Sequence, residues 1–144
     1  MSPIEILFVE DNMDDATLTM RALKKSGLSN VLFHLKDGAE ALDFIYRKGI
    51  YASRNIEDRP KLILLDLKMP KISGIEVLEK IKSHPFYKAI PVVILTSSKE
   101  DPDIKRCYEL GANSYIVKPV ESDNFFHTIK ELGMYWMILN QPPH

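Results

Sequence analysis

Residues 62–70 read Leu62-Ile63-Leu64-Leu65-Asp66-Leu67-Lys68-Met69-Pro70. Four consecutive apolar residues, ended by the carboxylate of Asp66, predict a short strand buried on both faces. Two further apolar runs stand on either side of it in the chain: Ile4–Val9, followed by Glu10-Asp11, and Val92–Leu95, ended by Thr96-Ser97. Val31–Leu35 is a more polar strand, and Ser114–Val117 is a fifth that ends at Lys118-Pro119. Between the strands the spacing turns helical. Asn12–Ser26 puts Ala16, Met20 and Leu23 on one face, and Gly74–Ser83 carries Val77, Leu78 and Ile81 inward. Asp37-Gly38-Ala39-Glu40 offers a cap with a returning glutamate; Ala41, Leu42 and Ile45 continue that helix, and Gly49 is its expected stop. Asp101-Pro102 supplies a capping carboxylate and a proline for the first helical position of a helix that ends at Gly111. A last helix is expected over Glu121–Leu139, and Gly49–Pro60 reads as an unusually long loop. Five strands, each followed by a helix, predict an α/β domain with an open, doubly wound parallel sheet.

The 144 residues fit one domain, expected over 1–144 with its core from about residue 3 to about residue 139 and no output domain. Nineteen basic residues against 20 acidic ones leave a net charge of −1, which gives no electrostatic case for nucleic acid or an anionic membrane. Cys107 is the single cysteine, so no internal disulfide forms. Met1-Ser2-Pro3 leads directly into an apolar run without the features of a signal peptide, and no apolar run approaches the roughly 20 residues that span a bilayer. The expectation is a cytoplasmic protein that binds neither membrane nor nucleic acid.

In an open parallel sheet, ligands bind beyond the carboxyl ends of the strands, where strand order reverses. The residues at those ends are Glu10, Asp11, Asp66, Thr96 and Lys118. Taken singly, each has an ordinary use as a helix cap, a solvated charge or a strand former. Together they make a site. Three acids in one pocket repel one another and call for a cation or for protons. An oxygen-only set suits a hard ion such as Mg²⁺. The lysine and the hydroxyl are what a transferring phosphoryl group requires, since they meet its equatorial oxygens, and one carboxylate can act as nucleophile.

These residues stand in motifs that resemble the receiver domains of bacterial two-component response regulators. The motifs are Phe8-Val9-Glu10-Asp11-Asn12, Leu64–Pro70 with Gly74 following, Pro91–Ser97, Gly111-Ala112-Asn113-Ser114-Tyr115 and Lys118-Pro119. The resemblance implies a flavodoxin-like three-layer sandwich with strand order 2-1-3-4-5. It implies Asp66 as phosphoacceptor, Asp11 as a direct Mg²⁺ ligand, Glu10 as one acting through water, and the Lys68 backbone carbonyl as another. Thr96 resembles the switch hydroxyl, Lys118 its partner lysine, and Tyr115 the aromatic whose rotamer reports the state. A cis peptide is implied at Lys118-Pro119. Such a domain takes its phosphoryl group from a sensor histidine kinase and is a switch rather than an enzyme acting on other molecules. The long loop, the segment Cys107–Ala112 and Tyr135-Trp136 resemble the small single-domain regulators that partner phytochrome kinases. Lys68, two residues past the phosphoacceptor position, is expected to shield the phosphoryl group from water.

Other readings fit less well. A flavin-binding domain of this fold needs a phosphate-cradling loop after the first strand, where this chain has Glu10-Asp11-Asn12-Met13-Asp14-Asp15. A hydrolase with an aspartate nucleophile wants a second acid where Lys68 stands. A receiver-like module that is never phosphorylated has no need of Asp66, Thr96 and Lys118 together. In the last helix, Phe125, Ile129, Leu132, Trp136 and Leu139 form a core stripe. Met134, Tyr135, Met137 and Ile138 are left over for a homodimer or partner contact. His34, His84, His127 and His144 share no metal-ligand spacing, and Cys107 is expected to be a buried thiol.

Overall fold

A computed structural model describes residues 6–25, 32–55 and 59–132. Five strands, β1 (Ile6–Val9), β2 (Leu32–Leu35), β3 (Leu62–Asp66), β4 (Val92–Thr96) and β5 (Ser114–Val117), form one parallel sheet in the order β2-β1-β3-β4-β5. Five α-helices alternate with them: α1 (Met13–Lys25), α2 (Gly38–Tyr46), α3 (Gly74–Ser83), α4 (Asp103–Glu109) and α5 (Ser122–Glu131). Every residue of β1, β3 and β4 is buried, because helices cover both faces. Leu7, Val9, Ile63, Leu65, Val92 and Ile94 point to one core, shared with α2, α3 and α4. Ile6, Phe8, Leu62, Leu64, Val93 and Leu95 point to the other, shared with α1 and α5. The two-residue alternation of side chains along a strand is what divides the apolar runs between the layers. β2 and β5, at the sheet edges, are partly exposed.

The helix signals hold, with local corrections. Asn12 caps α1, its Oδ1 accepting from Asp15 N–H at 2.9 Å. Asp37 caps α2 by accepting from Glu40 N–H at 2.8 Å, but the returning Glu40 carboxylate accepts from Lys36 N–H rather than from the cap residue. α2 stops before the expected Gly49: Arg47 takes the left-handed position at φ 54°, and Gly49 instead opens a 3₁₀ turn, Gly49–Tyr51. Asp101 Oδ1 accepts from Asp103 N–H at 2.9 Å, but Pro102, expected in the first helical position, stands just before α4, which ends at Glu109 with Gly111 following at φ 109°. Ile4, Val31, the end of the last helix expected to reach Leu139 with its core residues Trp136 and Leu139, and Met134, Tyr135, Met137 and Ile138, expected for a homodimer or partner contact, lie outside the described residues. No helix among the described residues is long and apolar enough to cross a membrane.

Candidate phosphoacceptor site

Strand order places β1, β3, β4 and β5 side by side, so their carboxyl ends share one rim. Three backbone bonds tie the loops of that rim together: Leu67 N–H to Leu95 O at 2.9 Å, Gly74 N–H to Leu67 O at 3.0 Å, and Lys118 N–H to Thr96 O at 2.7 Å. Gly74 lies so close to the strand end that a Cβ there would meet Asp66 O and the Leu67 backbone at well under van der Waals distance, which only glycine avoids. The Lys118-Pro119 peptide is cis.

On this frame, oxygens of Glu10, Asp11 and Asp66 lie within 4.8 Å of one another. Glu10 and Asp66 are buried, and Asp11 is half-buried. The Lys118 ammonium reaches into the cluster, 2.8 Å from Glu10 Oε1, 2.9 Å from Asp66 Oδ1 and 3.1 Å from Asp15 Oδ2. Burial, then the adjoining Glu10 carboxylate, pushes the Asp66 carboxyl up to about 7, against the opposing pull of Lys118. Lys118 itself is held above its ordinary value: burial opposes its charge, but Glu10 and Asp66 outweigh that. The two shifts describe one coupled group, in which a single ammonium does not balance the buried acids. Glu10 Oε1 is fully buried and, beyond its ion pair with Lys118, accepts no hydrogen bond among the described residues. An acid set short of positive charge, with a buried carboxylate oxygen met only by an ammonium it shares, fits a hard divalent cation.

The other expected residues lie on β4, β5 and the loop after β3. Thr96 is fully buried, and its hydroxyl is turned along its own loop, donating to Ser98 O at 3.1 Å and accepting from Ser98 N–H at 3.4 Å. Tyr115 on β5 is half-buried and edge-on to Tyr108, with ring centroids 6.4 Å apart. The Lys68 ammonium, expected over the acid cluster, instead meets Asp103 Oδ2 at 3.2 Å and Asp101 Oδ2 at 3.8 Å at the start of α4. Burial, then Asp103 and Asp101, pushes the Cys107 thiol up to about 11, which leaves it inert as a nucleophile.

Two neighbours escaped the sequence reading. Asp15 had a signal: it stands in the first turn of the helix that starts directly after the acidic strand end Glu10-Asp11. His34 carries no signal in the sequence beyond its lack of metal-ligand spacing with the other histidines. Its ring stacks on Phe8 at 5.1 Å and its Nε2 lies 2.8 Å from the Glu10 carbonyl oxygen. Only the pairing of Phe8 with His34 across β1 and β2 reveals that.

A 2-1-3-4-5 sheet that gathers buried acids, one ammonium and one hydroxyl at its switch point defines the class: an α/β domain with a cation-requiring acidic pocket. The chain belongs to the response regulator receiver domain family, whose profile matches residues 6–130, and is thus a receiver domain of the two-component type. It is similar to the bacteriophytochrome response regulator RtBRR, with 48% identity and a TM-score of 0.86 over 99% of this chain and 85% of that one. The response regulator Rcp1 of Synechocystis is 39% identical over 135 residues, 94% of this chain and 90% of that protein. Its Mn²⁺-bound structure matches with a TM-score of 0.74 and 38% identity over 99% of this chain and 100% of that one. The phosphorylated cyanobacterial phytochrome response regulator RcpA matches with a TM-score of 0.76 and 38% identity over 99% and 100% of the two chains.

Proposed function

We propose that this receiver works as a phosphoacceptor switch in which Asp66 takes the phosphoryl group from a phosphohistidine of a sensor histidine kinase. The observation that carries the reading is the Lys118 ammonium seated 2.9 Å from Asp66 Oδ1, beside a three-carboxylate cluster. An Asp66 carboxylate oxygen attacks phosphorus as the donor's N–P bond breaks, and the histidine leaves with the N–P electron pair. Lys118 donates to a phosphoryl oxygen. The Thr96 hydroxyl leaves Ser98 for another, and Tyr115 turns into the space this opens, so phosphorylation shifts the population between two states. Glu10, Asp11, Asp66 and the Lys68 carbonyl would hold Mg²⁺, which supplies the positive charge that the phosphoryl oxygens need. The Mn²⁺-bound form of the relative Rcp1 supports a divalent ion here.

The chain catalyses only its own phosphorylation and dephosphorylation and signals by contact with another protein. A cytoplasmic setting and a single domain over 1–144 complete the reading. The phytochrome regulators among its relatives support a kinase partner of phytochrome type. The apolar run Met134–Ile138 supports a homodimer through the C-terminal segment, and sedimentation of a chain cut before Met134 tests it.

The central test is incubation with Mg²⁺ and acetyl phosphate, followed by intact mass. One added phosphoryl group is expected, absent without Mg²⁺ and absent in Asp66→Asn. A gain that survives Asp66→Asn, or no gain at all, overturns the reading.

A further inference from the structure

The Lys118 ammonium has three N–H donors and, among the described residues, three carboxylate neighbours. Two of these, Glu10 and Asp66, are buried members of the acid cluster. The third, Asp15, is different in every respect. Its carboxylate lies outside the cluster, its side chain is 36% exposed, and it comes from the first turn of α1, 103 positions away from Lys118 in sequence. It is also held from behind, because its own N–H is bonded to the capping oxygen of Asn12 at 2.9 Å. The Asn12 N–H in turn reaches Glu10 Oε2 at 3.3 Å, so the cap of α1 is built onto the acid cluster.

We propose that Asp15 is a positioning residue for phosphoryl transfer, acting through Lys118 as the one anchor of the ammonium that the reaction leaves untouched. This rests on the reading of Asp66 as phosphoacceptor. The argument is a count of bonds. When Asp66 becomes an acyl phosphate, the oxygen that met Lys118 is neutralised or esterified, and that N–H passes to a phosphoryl oxygen. A divalent cation competes with the ammonium for the Glu10 carboxylate. Asp15, outside the cluster, loses nothing in either event and keeps the ammonium aimed at the incoming group. A long, flexible lysine stem that lost both other partners would sample many rotamers, and a misaimed donor does little for a transition state.

The test compares wild type with Asp15→Ala and Asp15→Asn, the latter keeping an acceptor oxygen without the charge. Phosphorylation rates from acetyl phosphate are measured across a range of Mg²⁺ concentrations, and the Lys118 Nζ protons are followed by ¹⁵N NMR of the metal-free protein. For Asp15→Ala the rate at saturating Mg²⁺ falls about fivefold, the worth of a partly exposed ion pair, with the half-saturating Mg²⁺ concentration unchanged. Its Nζ protons exchange with water markedly faster. Asp15→Asn recovers at least half of the lost rate. An alanine variant that matches wild type, or one that loses rate only by needing more Mg²⁺, overturns the proposal. Unchanged protection of the Nζ protons overturns it as well. If wild type itself gains no phosphoryl group, the phosphoacceptor reading fails instead, and the Nζ protons still decide whether Asp15 anchors Lys118.

Discussion

Lys118 and Arg54 are both cations drawn out of solvent, at opposite ends of the same sheet, and they are held in opposite ways. Lys118 sits at the carboxyl ends of the strands among three carboxylates. Arg54 sits in the connection between α2 and β3, at the other end, and only 8% of its surface is exposed. Its guanidinium lies 3.7 Å from the centre of the Phe44 ring, with Nη1 at 3.4 Å from both the Phe44 carbonyl oxygen and the Tyr87 hydroxyl. Tyr51 and Phe33 complete that aromatic nest. A ring face and a carbonyl are fixed dipoles that do not titrate and do not leave. Carboxylates do both. The partners described for Arg54 are thus groups that phosphorylation leaves alone, whereas the Lys118 pocket is built so that its partners can be exchanged.

Replacing each cation by methionine separates the two. Lys118→Met should cut phosphorylation from acetyl phosphate by about 100-fold, the usual cost of losing one preorganised donor to a developing oxyanion. Arg54→Met should leave that rate within about twofold, because Arg54 stands at the opposite end of the sheet from the acid cluster. A large kinetic loss in the arginine variant breaks the division between the two pockets. Stability divides the other way. Arg54→Ala loses the ring contact, the carbonyl bond and the packing of its stem, and should cost about 2 kcal/mol in urea unfolding.

The acid pocket should instead gain stability when a charge is removed. The folded-state pKa of Asp66 is raised to about 7 from 3.8. Between those values the folded chain binds more protons than the unfolded one, so the Asp66 contribution to stability falls as pH rises from about 4 to about 7 and stays low above that. The raised pKa of Lys118 likewise makes stability fall as pH rises, but only at alkaline pH, outside this window. In metal-free protein, Asp66→Asn should therefore be more stable than wild type at pH 8, by on the order of 2 kcal/mol after discounting for coupling to Lys118. The gain should vanish towards pH 4. Thermal melts at several pH values check this, and a gain independent of pH would mean that Asp66 is not strained by burial.

The same contrast governs what could be read from the sequence. β1, β3 and β4 were legible because strands buried on both faces have no choice but continuous apolar runs. Glu10, Asp66, Thr96 and Lys118 were legible because topology, once inferred, brings strand ends together regardless of sequence distance. Arg54 was not, since a charged residue in a loop reads as solvated until the aromatic rings beneath it are seen. Sequence points to Gly49 as the helix stop because glycine adopts the left-handed conformation without strain, yet Arg47 adopts it two residues earlier. The turn of the Thr96 hydroxyl toward Ser98 is a choice among rotamers, on which sequence is silent.

Lys68 gives the smallest expected effect and the sharpest test of where the exchangeable pocket ends. From sequence, its ammonium was expected to screen the phosphoryl group and lengthen its lifetime. In the structure it is a surface cation, 62% exposed, whose charge is satisfied by Asp103 and then Asp101. Exposed pairs of this kind are weak and screened by salt, so Lys68→Asn should leave the unfolding midpoint unchanged. For the side chain to screen the phosphoryl group it must first leave two carboxylates at the start of α4. Hydrolysis of the phosphorylated Lys68→Asn variant should accordingly run within about twofold of wild type at moderate salt. A hydrolysis rate several-fold faster, growing larger at low salt, would show that the doubly charged phosphoryl group wins the ammonium from α4. Lys68 would then belong with Lys118 among the cations that change partners, and the boundary between fixed and exchangeable charge would lie at α4 rather than at the acid cluster.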